Sequence, residues 1–234
     1  MFSKSARFYD AIYSFKDYGS EAKLVRDVIL SKCPRARTLI DIACGTGLHL
    51  EHWKNDFECD GLDLDPDLLA VAHERNPELS LHVESMETFD LGRSFDAVTC
   101  LFSSIGYTQS VDRLNRAIES MAWHLAPGGV LVVEPWFAPE AYEAGHLGAV
   151  FVDEPDLKIA RVNIAELEGG LSRLVFHYLV GTPDGISAFT EDHRLGLFSH
   201  DEYVAAFRGQ GLTVDHDAWG LMGRGLYVAT KPGP

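Results

Sequence analysis

The run Thr38-Leu-Ile-Asp-Ile-Ala-Cys-Gly-Thr-Gly-Leu-His-Leu50 constrains this chain more than any other stretch. Thr38 to Ile42 is apolar and β-branched, the pattern of a strand buried on both faces of a parallel sheet. Gly45 and Gly47 then turn the chain into a helix that begins near Leu48. Doubly wound α/β proteins use such a strand–glycine–helix turn to bring a ligand against the backbone. Further on, Gly61-Leu-Asp63 ends a second strand in a carboxylate, roughly 20 residues along, where these folds bind ribose hydroxyls. An ordinary tight βα turn would explain the glycines but not their agreement with Asp41 and Asp63.

A nicotinamide or flavin enzyme would want G-x-G-x-x-G, whose third glycine lets the first helix pack closely on the sheet. Leu50 occupies that position. The pattern Asp41-x-Ala43-x-Gly45-x-Gly47 instead resembles motif I of the class I S-adenosylmethionine (SAM) methyltransferases. That resemblance implies an α/β fold: a seven-stranded, Rossmann-like sheet, with SAM as cofactor and S-adenosylhomocysteine as product.

The 234 residues suit one α/β domain with an elaboration, enough to bury about 70% of the unfolded surface. A formal charge of −15 offers little to a phosphate backbone, and no basic run appears, so nucleic acid is not an expected partner. A small anionic substrate held by local arginines remains compatible with that charge. Nothing reads as a signal peptide, and no apolar run approaches the ~20 residues of a membrane span, so a cytoplasmic location away from membranes is expected. Cys33, Cys44, Cys59 and Cys100 form no C-x-x-C pair and no zinc spacing, and no metal is expected.

Along the chain, Phe8, Tyr9, Tyr13, Phe15 and Tyr18 crowd the start, as a segment docked on the core or as a lid over the cofactor. Ser20 reads as the cap of a helix to about Leu30. Strands are expected over 57–63, 79–83 and 95–102, with Asp65-Pro66 opening the helix between the first two. A helix over 111–125 leads through Ala126-Pro-Gly-Gly129 into the Val-rich strand 130–134. Past Pro139 the rhythm changes to about two or three antiparallel strands, with turns at Glu168-Gly-Gly170 and Pro183-Asp-Gly185. Ser199 then caps a helix, and 212–219 and 223–230 close the sheet as a hairpin. The expected organisation is therefore a SAM-binding core with an amino-terminal lid (1–138), an inserted antiparallel β subdomain on the substrate side (139–198), and a closing helix and strands (199–234).

Methyl transfer asks a protein to align nucleophile, methyl and sulfur and to exclude water, so no catalytic dyad is demanded. None stands out, and the ten histidines are scattered singly and read as structural, with His49 and His52 as surface residues. Cys100-Leu-Phe-Ser-Ser-Ile-Gly106, Val132-Val-Glu-Pro-Trp136 and Gly223-Arg-Gly-Leu226 sharpen the likeness. Over nearly its whole length the chain resembles the N,N-dimethyltransferases of dTDP-linked amino sugars, enzymes of macrolide antibiotic biosynthesis. The resemblance implies a SAM-dependent N-methyltransferase acting on the amino group of a nucleotide-linked deoxysugar; another small amine or hydroxyl acceptor is the alternative. It leaves room for a homodimer.

Carried over by position, Tyr9 and Tyr18 would cover SAM, and Ala43 and Gly45 would pass beneath it. Asp63 would hold the ribose, with Leu64, Ser85, Met86 and Ser103 lining the same crevice. Trp136 and Phe137 would wall the acceptor and Arg224 would meet its nucleotide, while Arg161 would either reach that nucleotide or be a surface strand arginine. Two positions depart from the family. Tyr107 stands where a histidine usually faces the amine, and Glu84-Ser85-Met86 replaces Gly-Asp-Met, so the adenine contact is lost or moved to Glu84. Tyr107 is the expected catalytic residue.

Overall fold

The motif I strand, β1 (Thr38–Ile42), lies inside a seven-stranded sheet in the computed structural model, which describes residues 4–233. Parallel to it run β2 (Glu58–Asp63), β3 (Ser80–Val83), β4 (Phe95–Cys100) and β5 (Leu125–Val133). The chain steps outward from β1 through β2 to β3, then returns to place β4 against the other side of β1. The point between β1 and β4 is thus the topological switch, where open α/β sheets bind ligands at their carboxyl ends.

Alternation along each strand divides the core into two layers. Ile40, Ile42, Val98, Cys100, Leu131 and Val133 face one layer, and Leu39, Ala97, Val130 and Val132 the other. The amino-terminal helices are α1 (Tyr9–Ile12), α2 (Tyr18–Lys32) and α3 (Leu48–Trp53), and α2 and α3 cover the second layer. After α4 (Pro66–Arg75), α5 (Val111–Trp123) covers the first. Asp65 caps α4 as expected, its carboxylate accepting from Asp67 N at 3.0 Å. The cap of α2 is Asp17, which accepts from Ser20 N, and not Ser20 itself.

The missing third glycine has a structural answer on the neighbouring strand. A Cβ on Gly61 would lie 2.7 Å from Leu50 Cδ1, 2.8 Å from Leu81 Cδ2 and 2.9 Å from Cys44 Sγ. The space a glycine would have left in the helix is supplied by β2, and Leu50 fills it.

Beyond β5 the chain builds a second sheet of four antiparallel strands, one or two more than the sequence suggested. They are β6 (Leu147–Glu154), β7 (Leu157–Glu168), β8 (Leu171–Thr182) and β9 (Gly185–Gly196). The strand least visible in sequence is β6, where Gly148 and Ala149 dilute the alternation. Gly169 and Gly170, both at positive φ, make the two-residue β7–β8 turn. The inner face of this sheet (Val152, Ile159, Phe176, Tyr178, Val180) packs on Phe8, Ile12 and Tyr13. These amino-terminal aromatics are therefore core, while Phe15 is exposed.

Finally α6 (His200–Gly209) starts in a capping box formed by Ser199 and Glu202. β10 (Thr213–Asp217) and β11 (Leu226–Thr230) then form the closing hairpin, with β11 antiparallel to β5. Among the described residues no helix is long and apolar enough to cross a membrane, and no group of His, Cys, Asp and Glu is placed to hold a metal.

Candidate active site

A cavity of about 460 Å³ opens at the carboxyl ends of β1 and β2. Ala43, Gly45, Asp63, Leu64, Ser85 and Met86, all expected at the cofactor, line it together. The loop that makes room is unusual in backbone terms, since Ala43 has φ 57° and Gly45 φ 56°. Left-handed conformations in non-glycine residues cost on the order of 1–3 kcal/mol and persist where a surrounding structure enforces them. Asp63 does part of that enforcing. Its carboxylate accepts from Gly45 N (2.9 Å) and Asp65 N (2.9 Å), tying the tip of β2 to the glycine loop. Burial outweighs these hydrogen bonds and raises its pKa. No side-chain atom lies within 4 Å of where a Gly45 Cβ would stand, so the backbone there is bare toward a ligand.

Beside Ser85 and Met86 the cavity is lined by the carboxylate of Glu87, and Glu84 does not reach it. Both Glu87 oxygens are engaged, by Arg113 (2.8 and 2.6 Å) and Arg116 (2.9 Å), which hold its pKa below the usual range. Deeper in, a smaller cavity at the glycine loop is lined by Tyr18, Thr46 and His49. The Tyr18 hydroxyl is buried there without a hydrogen-bond partner. A buried hydroxyl lacking a partner beside a bare glycine backbone fits a polar, amino-acid-like group such as the methionyl end of SAM. The amino-terminal segment is fastened over this end: Thr46 Oγ1 donates to Asp10 Oδ1 (2.6 Å), and Arg75 binds both Asp10 and the Thr46 carbonyl. His49 is buried against Glu21 (3.0 Å) and stacked on Trp53, contrary to its expected surface position.

A second cavity, of about 520 Å³, lies between the two sheets and holds Trp136, Phe137, Arg161 and Arg224. Arg161 is not a surface arginine; only 7% exposed, it donates to the Tyr13 hydroxyl (2.9 Å) and lies over the Phe176 ring. No carboxylate lies within 4.0 Å of it among the described residues. Arg224 is held by fully buried Glu134, Nη2 donating to Oε1 at 2.9 Å. Three residues of this wall each bury an N–H without an acceptor: Arg161 Nε, Arg224 Nε and Trp136 Nε1. All three are donors.

Tyr9, Ser104 and Tyr107 line both large cavities and so form the neck between them. Ser103, expected at the cofactor, lines only the second; its hydroxyl donates to the Pro135 carbonyl (2.7 Å), and Ser104 takes the shared position. Phe102 and Ser103 have φ of 51° and 60°, which ends β4 two residues early and turns Phe102 N toward Glu134 Oε2 (2.7 Å). Burial drives the Tyr9 and Tyr107 phenols well above their usual pKa, so both are neutral donors. The Tyr107 hydroxyl lies 2.7 Å from His193 Nδ1. Sequence reading missed Glu134 and His193 as site residues; the inward alternation of Glu191 and His193 along β9 was the signal available for the second.

A methyltransferase-domain family model matches residues 39–129, the stretch that carries the glycine loop and Asp63. A dTDP-3-amino-3,6-dideoxy-alpha-D-glucopyranose N,N-dimethyltransferase from Streptomyces fradiae is 42% identical over 95% of this chain and 89% of its own. Among solved structures, DesVI of Streptomyces venezuelae superposes with a TM-score of 0.90 at 40% identity, covering 96% of this chain and 98% of its own. SAM-bound CalS10, an amino pentose methyltransferase from Micromonospora echinaspora, gives 0.88 at 41% identity and 96% of both chains. With a crevice at the switch point and likeness over nearly the full length, the chain belongs to the SAM-dependent class I methyltransferases, in the family of the dTDP-amino-sugar N,N-dimethyltransferases.

Proposed function

We infer that this protein N-methylates the amino group of a dTDP-linked amino deoxysugar, as part of the making of an antibiotic sugar. The observation that carries this reading is the set of acceptor-less buried donors on Arg161, Arg224 and Trp136 in the wall of the second cavity. Buried donors left unpaired cost about 1–3 kcal/mol each, so the cavity is built for a ligand rich in acceptors. A diphosphate with a pyrimidine and a sugar is such a ligand, and the chain's overall charge of −15 makes two local guanidiniums all the more specific. The same cavity offers Trp136 and Phe137 as an apolar wall.

When bound, SAM supplies an electrophilic methyl group to an in-line nucleophile. The chain's own contribution is placement. Asp63 and the glycine backbone hold one partner, the arginines hold the other, and the tyrosine neck brings the amine to the boundary and excludes water. A neutral amine brings its own lone pair, so Tyr107 serves by orienting it through the phenol. Four free cysteines fit a reducing, cytoplasmic setting. The test is turnover: purified protein, SAM and dTDP-3-amino-3,6-dideoxyglucose should give mono- and dimethylated products by mass spectrometry. Equal turnover of the free amino sugar would remove the nucleotide from the reading.

A further inference from the structure

Methyl transfer to an amine leaves a problem that SAM does not solve. As the N–CH3 bond forms and the S–CH3 pair stays with sulfur, the nitrogen becomes a methylammonium with no lone pair. A second transfer requires an N–H proton to leave first.

His193 is placed to take it. It sits on the inner face of β9, 1% exposed, two residues from Glu191 on the same face. The neutral, half-buried Tyr107 phenol lies 2.7 Å from Nδ1; it can donate there only in the tautomer carrying the imidazole proton on Nε2, and the relay requires that tautomer. That nitrogen lies 3.6 Å from Glu191 Oε2. Glu191 is itself pinned by Ser5, whose amide (3.0 Å) and hydroxyl (2.8 Å) both donate to it. Burial works to raise the Glu191 pKa, but hydrogen bonds from His193 and Ser5 outweigh it and keep the carboxylate ionised. Phenol, imidazole and carboxylate therefore run in line from the neck into the second sheet.

We propose that Tyr107 and His193 form a relay that removes the ammonium proton between the two methylations. The ammonium gives a proton to Tyr107 Oη as the phenolic proton passes to His193 Nδ1. The amine lone pair is restored, the phenol is regenerated and an imidazolium remains, facing Glu191. Imidazole is a weaker base than an alkylamine, so the step relies on that carboxylate, which stabilises the imidazolium, and on the partly buried neck, which penalises the ammonium. The proton returns by the same path to water when product leaves. The inference rests on the amine acceptor proposed above. Other titratable or charged groups near His193 among the described residues include Arg161 of β7, reached across the Phe176 ring, Tyr13 bonded to that arginine, and Tyr178 of β8.

Two measurements test it. In His193→Gln, and in Tyr107→Phe, which keeps the ring, the second methylation should slow about tenfold or more relative to the first. Monomethylated product should then accumulate near neutral pH and convert as pH is raised, with the SAM affinity of the His193→Gln protein by calorimetry unchanged. A loss equal at every pH, or dimethylation as fast as wild type, would overturn the relay while leaving the methyltransferase reading intact. Imidazole 15N spectra of the protein need no acceptor: His193 should carry its proton on Nε2, and Tyr107→Phe should shift Nδ1. The opposite tautomer sinks the relay whatever the acceptor proves to be.

Discussion

Arg224 and Glu134 meet in a buried pair at 2.9 Å, and the same carboxylate takes the amide of Phe102 on its other oxygen. Glu134 thus fixes the guanidinium from behind, presents it to the second cavity, and holds the left-handed turn that ends β4. The arrangement leaves Arg224 Nε unpartnered.

A diphosphate bound there should notice the loss of the fork more than the loss of charge. Arg224→Lys should raise the acceptor KM roughly ten- to hundredfold with SAM affinity nearly unchanged, since one or two charge-assisted hydrogen bonds contribute about 1.5–3 kcal/mol. Arg224→Ala should in addition lower the melting temperature, because it strands the Glu134 charge in the interior. Steady-state kinetics with a dTDP-amino sugar, beside calorimetry with SAM, separates the two effects. Unchanged acceptor kinetics in Arg224→Lys would count against diphosphate binding at this wall.

Asp63 both borders the cofactor cavity and ties down Gly45. Asp63→Ala should weaken SAM binding ten- to hundredfold or more, from about 1.5–3 kcal/mol of lost hydrogen bonding plus a loosened loop. Titration calorimetry reads it directly. Full affinity in the variant would mean that the ribose lies elsewhere.

The contact between Leu50 and Gly61 predicts an unusual pair of variants. Gly61→Ala places a methyl within 3.0 Å of three side-chain atoms and should destabilise by about 1–3 kcal/mol. Leu50→Ala alone should cost about 2–5 kcal/mol as a core truncation. Combined, they should cost clearly less than the sum, because each relieves the other. Urea unfolding of the four proteins measures the coupling, and simple additivity would contradict the packing described.

Asp41, buried beneath the glycine loop, supplies a pH dependence. Burial and the charge of Asp63 raise its pKa from 3.8 to about 6, against the opposing pull of His49 and the Thr99 hydrogen bond. A carboxyl with a raised folded pKa stabilises below its unfolded value, and the contribution is lost as pH rises through the folded one. Asp41→Asn can still accept from Thr99 and carries no charge. Its melting temperature relative to wild type should therefore be higher at pH 8 than at pH 4. A difference that does not vary with pH would place the ionisation elsewhere.

The sequence by itself determined the motif I strand and turn, the acidic end of β2, the order of helices and strands in the core, and the family. Each of these is written in local signals: a β-branched run, glycines at a sharp turn, Asp65-Pro66 at a helix start, an apolar stripe. It also named part of the cavity wall, because residues at strand ends gather wherever the sheet switches direction. Only the tertiary structure decided what those residues touch. That Leu50 rests on Gly61, that Arg161 is buried beside Tyr13, and that Ser104 and not Ser103 reaches the neck depend on register and on one strained turn. The contact of Tyr107 with His193 joins positions 86 apart in the chain. It exists because β9 runs antiparallel across the second sheet and brings its inward face to the end of β4, an encounter set by long-range pairing.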